Sequence, residues 1–369
     1  MPVRKIICDT QCEIYNEISH GVDDTFWDFE QFDPPHNSIV IFARQTVNQY
    51  HKRIKTLAQA GAFLPVLANP TEGSSTLKLQ CERLGLLDLV RNRQMLLVGC
   101  GEMESELNCM VYDCYMSRPL GYEHNIKQCA RVAEIYAKTV KPYKFLFLNG
   151  RTRPHRKHMI EKLRATGVLD QALWTNLDTT PVYQPLYPEF LNTHTELKLL
   201  PPQYEVDQFQ SGIKLHYADS FVKHELFNNH WGEIYIRAEP YIDTYFSLIS
   251  ETVFEYPHSL RSEKIYKPIA MGHPFIAVAN RGFYRDLRNL GFQTYHSLID
   301  ESFDSIDNNQ DRLNRIAQVV VDLCSSNLIE FLVACEAISK YNQQHMQELG
   351  PQIYNEFPLR FFNFIQQNS

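Results

Sequence analysis

Between Thr244 and Val278 the chain reads TYFSLISETVFEYPHSLRSEKIYKPIAMGHPFIAV, an order of residues that calls for a strand, a loop, a helix and a second strand. The aromatic and aliphatic run Tyr245-Phe246-Ser247-Leu248-Ile249 has the length and composition of a buried strand. It gives way to Ser250-Glu251-Thr252 and a loop containing Pro257, after which Ser262-Glu263-Lys264 opens a segment of helical period through Met271. His273 to Val278 supplies the next strand. In open α/β sheets ligands bind where strands finish and helices begin. Ser262 is placed as an N-cap, and the helix start behind it offers free backbone amides to an anion. The functional reading is a nucleotide or phosphate site. Ordinary capping, with Lys264 and Lys267 in solvent, explains the same residues without a ligand.

The N-terminal half repeats the alternation. Lys5 to Cys8, Ser38 to Phe42, Ala62 to Ala68 and Gln94 to Val98 read as strands, with helical spacing over Thr46 to Ala60 and Thr76 to Leu84. Strand and helix in turn point to a parallel, doubly wound sheet. Gly21 to Asn37 lacks any period and reads as a surface loop, and Asn69 to Ser75 as a Ser/Gly turn without the lysine and spacing of a P-loop. Behind the strand that ends at Gly99-Cys100-Gly101 come Glu102, Glu104 and Glu106. One of these carboxylates is a candidate general base for activating an acceptor hydroxyl, and Asp9 and Glu13 compete for the role. The helix dipole accounts equally well for acids in a first turn.

A chain of 369 residues exceeds one ordinary core and implies two domains. The helix read over Tyr122 to Val140 closes at Lys141-Pro142 and sets the division there: residues 1–140, then 141–345, with 346–369 as a helix packing back toward the first domain. The second domain opens with Phe145-Leu146-Phe147-Leu148-Asn149-Gly150-Arg151-Thr152-Arg153-Pro154-His155-Arg156-Lys157-His158. A strand runs into a glycine turn and then a helix, with four cations between positions 151 and 157. A basic helix start is disfavoured by the dipole. In a chain of formal net charge -7, this is the local basic island a phosphorylated ligand requires. Planar Arg suits bidentate phosphate contacts, so Asn149, Arg151, Arg153 and Arg156 are taken as a group of donor-site candidates.

Glu251, followed by Glu263-Lys264 and then Gly272-His273-Pro274-Phe275-Ile276, resembles the donor-binding signature of α1,3-fucosyltransferases. There a strand ends in Glu-Asn-Ser, Thr-Glu-Lys opens the next helix, and a Gly-x-x-Pro-Val strand follows. Here Ser-Glu-Thr and Ser-Glu-Lys stand in those places, the Asn is missing and the loop is longer. Similar arrangements occur in exostosin-like and virus-encoded sugar transferases. The resemblance covers about a tenth of the chain and implies an α/β GT-B fold, two Rossmann-like domains facing a cleft with C-terminal helices bracing the two. It implies an inverting glycosyltransferase using a nucleotide-sugar donor, a GDP- or UDP-sugar, on a glycan or other hydroxyl acceptor; the sequence has no Asp-x-Asp pair to hold a metal-bound diphosphate, so a metal-independent transfer is expected. Glu263 would bind the donor ribose and Lys264 the diphosphate, aided by Arg151, Arg153 or Arg156, with Ser262, Glu251 and Lys267 beside them. The resemblance implies no tightly bound cofactor.

Composition removes other classes. The acidic balance argues against general nucleic-acid binding. No apolar run reaches membrane-spanning or signal-peptide length, so a cytoplasmic protein is expected. Nine cysteines without paired spacing suggest reduced core thiols rather than disulfides or zinc. Asp300-Glu301-Ser302-Phe303-Asp304 has metal-site composition, but an acidic turn leading into the helix over Asn308 to Leu323 explains it too. Phe292 to Tyr295 reads as a strand, and Leu328 to Tyr341 and Tyr354 to Ile365 as separate helices. A non-catalytic nucleotide- or glycan-binding protein on the same fold is the competing reading. A kinase or ligase is disfavoured because no P-loop or grasp-type glycine loop is present.

Overall fold

Among the described residues the short apolar runs become strands that pair in parallel, the arrangement typical of sheets covered by helices on both faces. The computed structural model describes residues 4–102, 104–151, 153–178 and 236–368. Among the described residues ten strands form two sheets: six in the order β2-β1-β3-β4-β5-β6 and four in the order β10-β9-β7-β8. The chain is therefore α/β with parallel sheets. It divides into two units, one of residues Met1–Ser117, Tyr256–Arg261 and Leu349–Ser369, the other of Arg118–Glu255 and Ser262–Glu348.

In the first unit β1 (Ile6–Asp9), β2 (Asp24–Phe26), β3 (Ser38–Phe42), β4 (Phe63–Gly73), β5 (Leu96–Cys100) and β6 (Cys109–Val111) make the sheet. Every residue of β3 and β5 is buried, as a sheet covered on both faces demands. Short α1 (Tyr15–Ile18) precedes α2 (Arg44–Gln59), which joins β3 to β4. Helices α3 (Ser74–Arg83) and α4 (Leu87–Arg91) join β4 to β5, and α5 (Cys114–Ser117) follows β6. Phe26, Phe29, Phe42 and Phe63 pack edge to face or tilted at 4.9–6.4 Å in the core. Arg53 lies over Phe29 at 4.7 Å and donates to the Phe32 carbonyl (2.9 Å).

Two expectations for this unit are corrected. Residues 21–37 are not all loop, because Asp24–Phe26 pairs in parallel with β1. Phe26 and Phe29 are buried while Trp27 between them is 73% exposed. Strand β4 runs on to Gly73 across a register shift between Ala68 and Gly73, so the turn read over Asn69 to Ser75 is strand followed at once by α3.

In the second unit, β7 (Tyr143–Arg151), α8 (Pro154–Ala165), β8 (Ala172–Asp178), β9 (Thr244–Ser250), α10 (Glu263–Ala270) and β10 (Phe275–Val278) carry the sheet. Before it stand α6 (Glu123–Cys129) and α7 (Val132–Ala137), and α9 (Glu239–Ile242) leads into β9. Helices α11 (Phe283–Asn289), α12 (Asn309–Cys324) and α13 (Leu328–Gln367) complete the chain. Phe145 and Phe246 stack at 5.4 Å between adjacent strands.

The single helix expected over Tyr122 to Val140 is two, and both belong to the second unit, so the division falls after Ser117 rather than after Val140. Phe292 to Tyr295 pairs with no strand among the described residues. The two helices expected near the C-terminus are one, continuing through Pro351 and Pro358. Its last residues belong to the first unit, where Phe357 stacks on Tyr112 at 3.8 Å. In the sequence Trp231 to Ala238 has the alternation of a strand and Asp219 to Phe227 reads as helix or loop; both fall outside the described residues, apart from 236–238. Among the described residues no single helix is long and apolar enough to cross a membrane.

Candidate functional site

In the second sheet the chain goes from β7 to β8 on one side, then returns to place β9 on the other side of β7. That reversal is a topological switch point, and the carboxyl ends of the two strands around it are where such sheets bind ligands. Those ends are Asn149 to Arg151 on β7 and Ser250-Glu251 on β9.

The β9 side is built around a buried carboxylate. Glu251 is fully enclosed and accepts from the Ser262 amide (3.1 Å), the Ser262 hydroxyl (2.6 Å) and the Thr252 amide (3.1 Å). Ser262 in turn caps α10, its Oγ accepting from the Lys264 amide at 3.3 Å, as the sequence leads one to expect. Burial raises the affinity of Glu251 for a proton, opposed by Lys264 and the Ser262 hydroxyl. Lys264 Nζ reaches Glu263 Oε1 (2.5 Å), Ser262 Oγ (3.2 Å) and Thr252 Oγ1 (3.3 Å). Burial works against ionisation of Glu263, but the charges of Lys264 and Lys267 prevail and hold its carboxyl below the ordinary range.

The β7 side supplies α8. Pro154 occupies the first helical turn, where its missing amide costs nothing, and Arg153 stands at the N-cap, half-buried. The basic first turn has structural explanations for two of its members. Arg156 is buried and donates from Nη2 to the Ser250 and Glu251 carbonyls at 3.0 and 3.2 Å. Lys157 pairs with Glu161 one turn on, at 3.3 Å. His155 donates from Nε2 to the Glu251 carbonyl (2.9 Å) and stacks on Phe254 at 5.4 Å. Burial, with Arg156, Arg153 and Lys264 nearby, holds its imidazole well below the ordinary value, so it is neutral.

Arg312 on α12 organises the segment from behind. It is 2% exposed and donates to the carbonyls of Phe254 (2.8 Å), Ala279 (3.3 Å) and Ile306 (2.9 Å). Its guanidinium also lies 4.3 Å from the centre of the Phe254 ring.

The sequence-predicted donor residues therefore gather at one end of one sheet, with different tasks. Glu263 and Lys264 form an ion pair there, and Lys267 and Arg153 add positive charge to the same end. Glu251, Ser262 and Arg156, also read as donor ligands, hold the backbone of this segment through the bonds given above. Asn149 is buried at the end of β7. Arg151 ends β7 in register with Asp178.

The base candidates lie in the first unit. Asp9 is fully buried and accepts from the amides of Gln11 (2.9 Å) and Ala43 (3.2 Å) and from the Thr46 hydroxyl. These bonds tie it to the start of α2, and it lies wholly inside the protein. Glu104 is paired with Lys78. Glu102 is half-buried and accepts from the Ser259 amide at 3.3 Å.

Sequence reasoning passed over Thr252, Phe254, Glu255 and Arg312. The first three sit in the loop already singled out, but nothing in their spacing marks them. Arg312 lies on a helix 58 residues beyond Phe254, and only the fold brings it near. The acidic turn at 300–304 is an ion-pair and capping cluster: Asp304 accepts from the Tyr284 and Arg285 amides at the start of α11, Asp300 pairs with Arg315 and Glu301 with Arg288. Among the described residues no group of His, Cys, Asp or Glu is placed to hold a metal ion. No protein-family model matches the chain, and no match to it was found among curated proteins or solved structures.

Proposed function

We propose that the carboxyl end of the four-stranded sheet binds the diphosphate of a nucleotide sugar and that the chain is a glycosyltransferase of the GT-B class, moving the sugar to a hydroxyl acceptor. The observation that carries the reading is the convergence of the α8 start, the residues from Ser250 to Glu255 and the helix start at Ser262 to Lys264 on a single topological switch point. Lys264 and Arg153 supply positive charge to the departing diphosphate, and the α8 start adds backbone amides. Glu263, held ionised beside Lys264, fixes that ammonium at the site. Sugar transfer itself, and inversion, rest on the resemblance of Glu251, Glu263-Lys264 and Gly272 to Ile276 to the fucosyltransferase signature.

The test is turnover. Incubation with a panel of GDP- and UDP-sugars is expected to release free sugar slowly from one of them, because transferases leak to water, and Lys264→Ala is expected to abolish the release. A nucleotide-binding protein without turnover is the second reading. It is favoured by one observation, the enclosure of Asp9 together with the pairing of Glu104 to Lys78, and it predicts binding of a nucleotide with no sugar released.

A further inference from the structure

Three glutamates stand around the β9 end of this site, and two are already committed. Glu251 spends its oxygens on Ser262 and Thr252, and Glu263 is bonded to the Lys264 ammonium. Glu255 differs. It is half-buried, and its polar company is the amides of Phe254 and of Glu255 itself, with Arg312 and Arg153 contributing charge. Among the described residues no cation forms an ion pair with it.

The backbone that presents Glu255 is pinned. Arg312 grips the Phe254 carbonyl at 2.8 Å and lies against the Phe254 ring, on which His155 also stacks. His155 is itself tied to the Glu251 carbonyl. A carboxylate on a fixed backbone, with acceptor capacity left and phosphate-binding cations nearby, is suited to hydroxyl donors. A bound nucleotide sugar offers such donors as vicinal pairs, on its ribose and on its hexose.

We propose that Glu255 is a binding residue of this site that accepts hydrogen bonds from a pair of hydroxyl groups on the bound donor. This rests on the nucleotide-binding reading above. Burial raises the proton affinity of its carboxyl, which makes the ionised group a stronger acceptor than an exposed one, and charge-assisted bonds of this kind discriminate sharply against a ligand that lacks the hydroxyl.

The experiment is calorimetric titration of the full chain and of Glu255→Gln with UDP, GDP, their 2′-deoxy counterparts, UDP-glucose and GDP-mannose. If Glu255 holds the ribose, wild type prefers the ribonucleotide over its deoxy form by about tenfold, and the variant erases that preference. If it holds the hexose, wild type prefers the nucleotide sugar over the bare nucleotide by a similar factor, and the variant erases that one instead. Glu255→Asp, which keeps the charge, is expected to restore part of whichever preference is lost. Selectivities that are absent in wild type, or that survive Glu255→Gln unchanged, overturn the assignment while leaving nucleotide binding intact. Failure of the wild-type chain to bind any of these ligands overturns both.

Discussion

Glu251, Glu255 and Glu263 are the same side chain in three surroundings, and the surroundings decide what each can do. Removing the Glu251 carboxylate leaves the Ser262 amide and hydroxyl without their acceptor inside the protein. Glu251→Ala is therefore expected to cost about 2–3 kcal/mol of stability in urea denaturation, whereas Lys264→Ala, whose ammonium is partly exposed, should cost under about 1 kcal/mol. Equal losses would show that the cap is not held as described. The Ser262 cap was legible in the sequence because capping is local: a Ser directly before Glu-Lys at the start of a helical period has one obvious use. That Glu251 holds Ser262 was not legible, since the intervening loop could turn the carboxylate either toward the cap or toward a ligand. Arg156 was legible as charge but not as a clamp on two carbonyls, because that depends on which strand lies beneath α8.

At the level of elements, the parallel strands were readable because runs such as Ser38 to Phe42 and Tyr245 to Ile249 are apolar throughout, as a sheet covered on both faces requires. The short strands β2 and β6, three residues each, have no such signal and exist because a neighbouring strand offers an edge. The turn after β5 shows a constraint of the same tertiary kind. Gly101 has φ +82°, and a Cβ there would lie 2.0 Å from the Ser259 carbonyl oxygen, which the Glu102 amide engages at 2.8 Å. Both the left-handed backbone and the close approach exclude a side chain. Gly101→Ala is expected to lower stability by about 3 kcal/mol, measured by urea denaturation, while Gly61→Ala, at φ +69° with open space around it, should cost only about 1 kcal/mol. Similar losses at the two positions would contradict the packing around Ser259.

For the molecule as a whole, two buried imidazoles link stability to pH. Burial lowers His273 to about 3 and holds His155 well below its ordinary value. The unfolded chain takes up protons as pH falls through about 6.5 and the folded chain does not, so the contribution of these groups is full above that pH and is lost on acidification. Burial raises Glu251, Glu255 and Glu301, which acts in the opposite sense, so the imidazole term is read as a difference. The stability gap between wild type and His273→Gln should narrow by about 1.4 kcal/mol for each pH unit below about 6.5, and a gap independent of pH would refute it. Two units were foreseeable from length. The point of division was not, because the helical period of Tyr122 to Val140 carries no sign of which sheet α6 and α7 will cover. The central claim, that a nucleotide diphosphate binds at the β7 and β9 ends, is tested most directly by titrating UDP, GDP, ADP and CMP into wild type and Lys264→Ala in a calorimeter. One diphosphate should bind wild type and bind the variant at least about tenfold more weakly, with the melting temperature of the free variant nearly unchanged. Absence of binding to all four, or equal binding to both proteins, would contradict it.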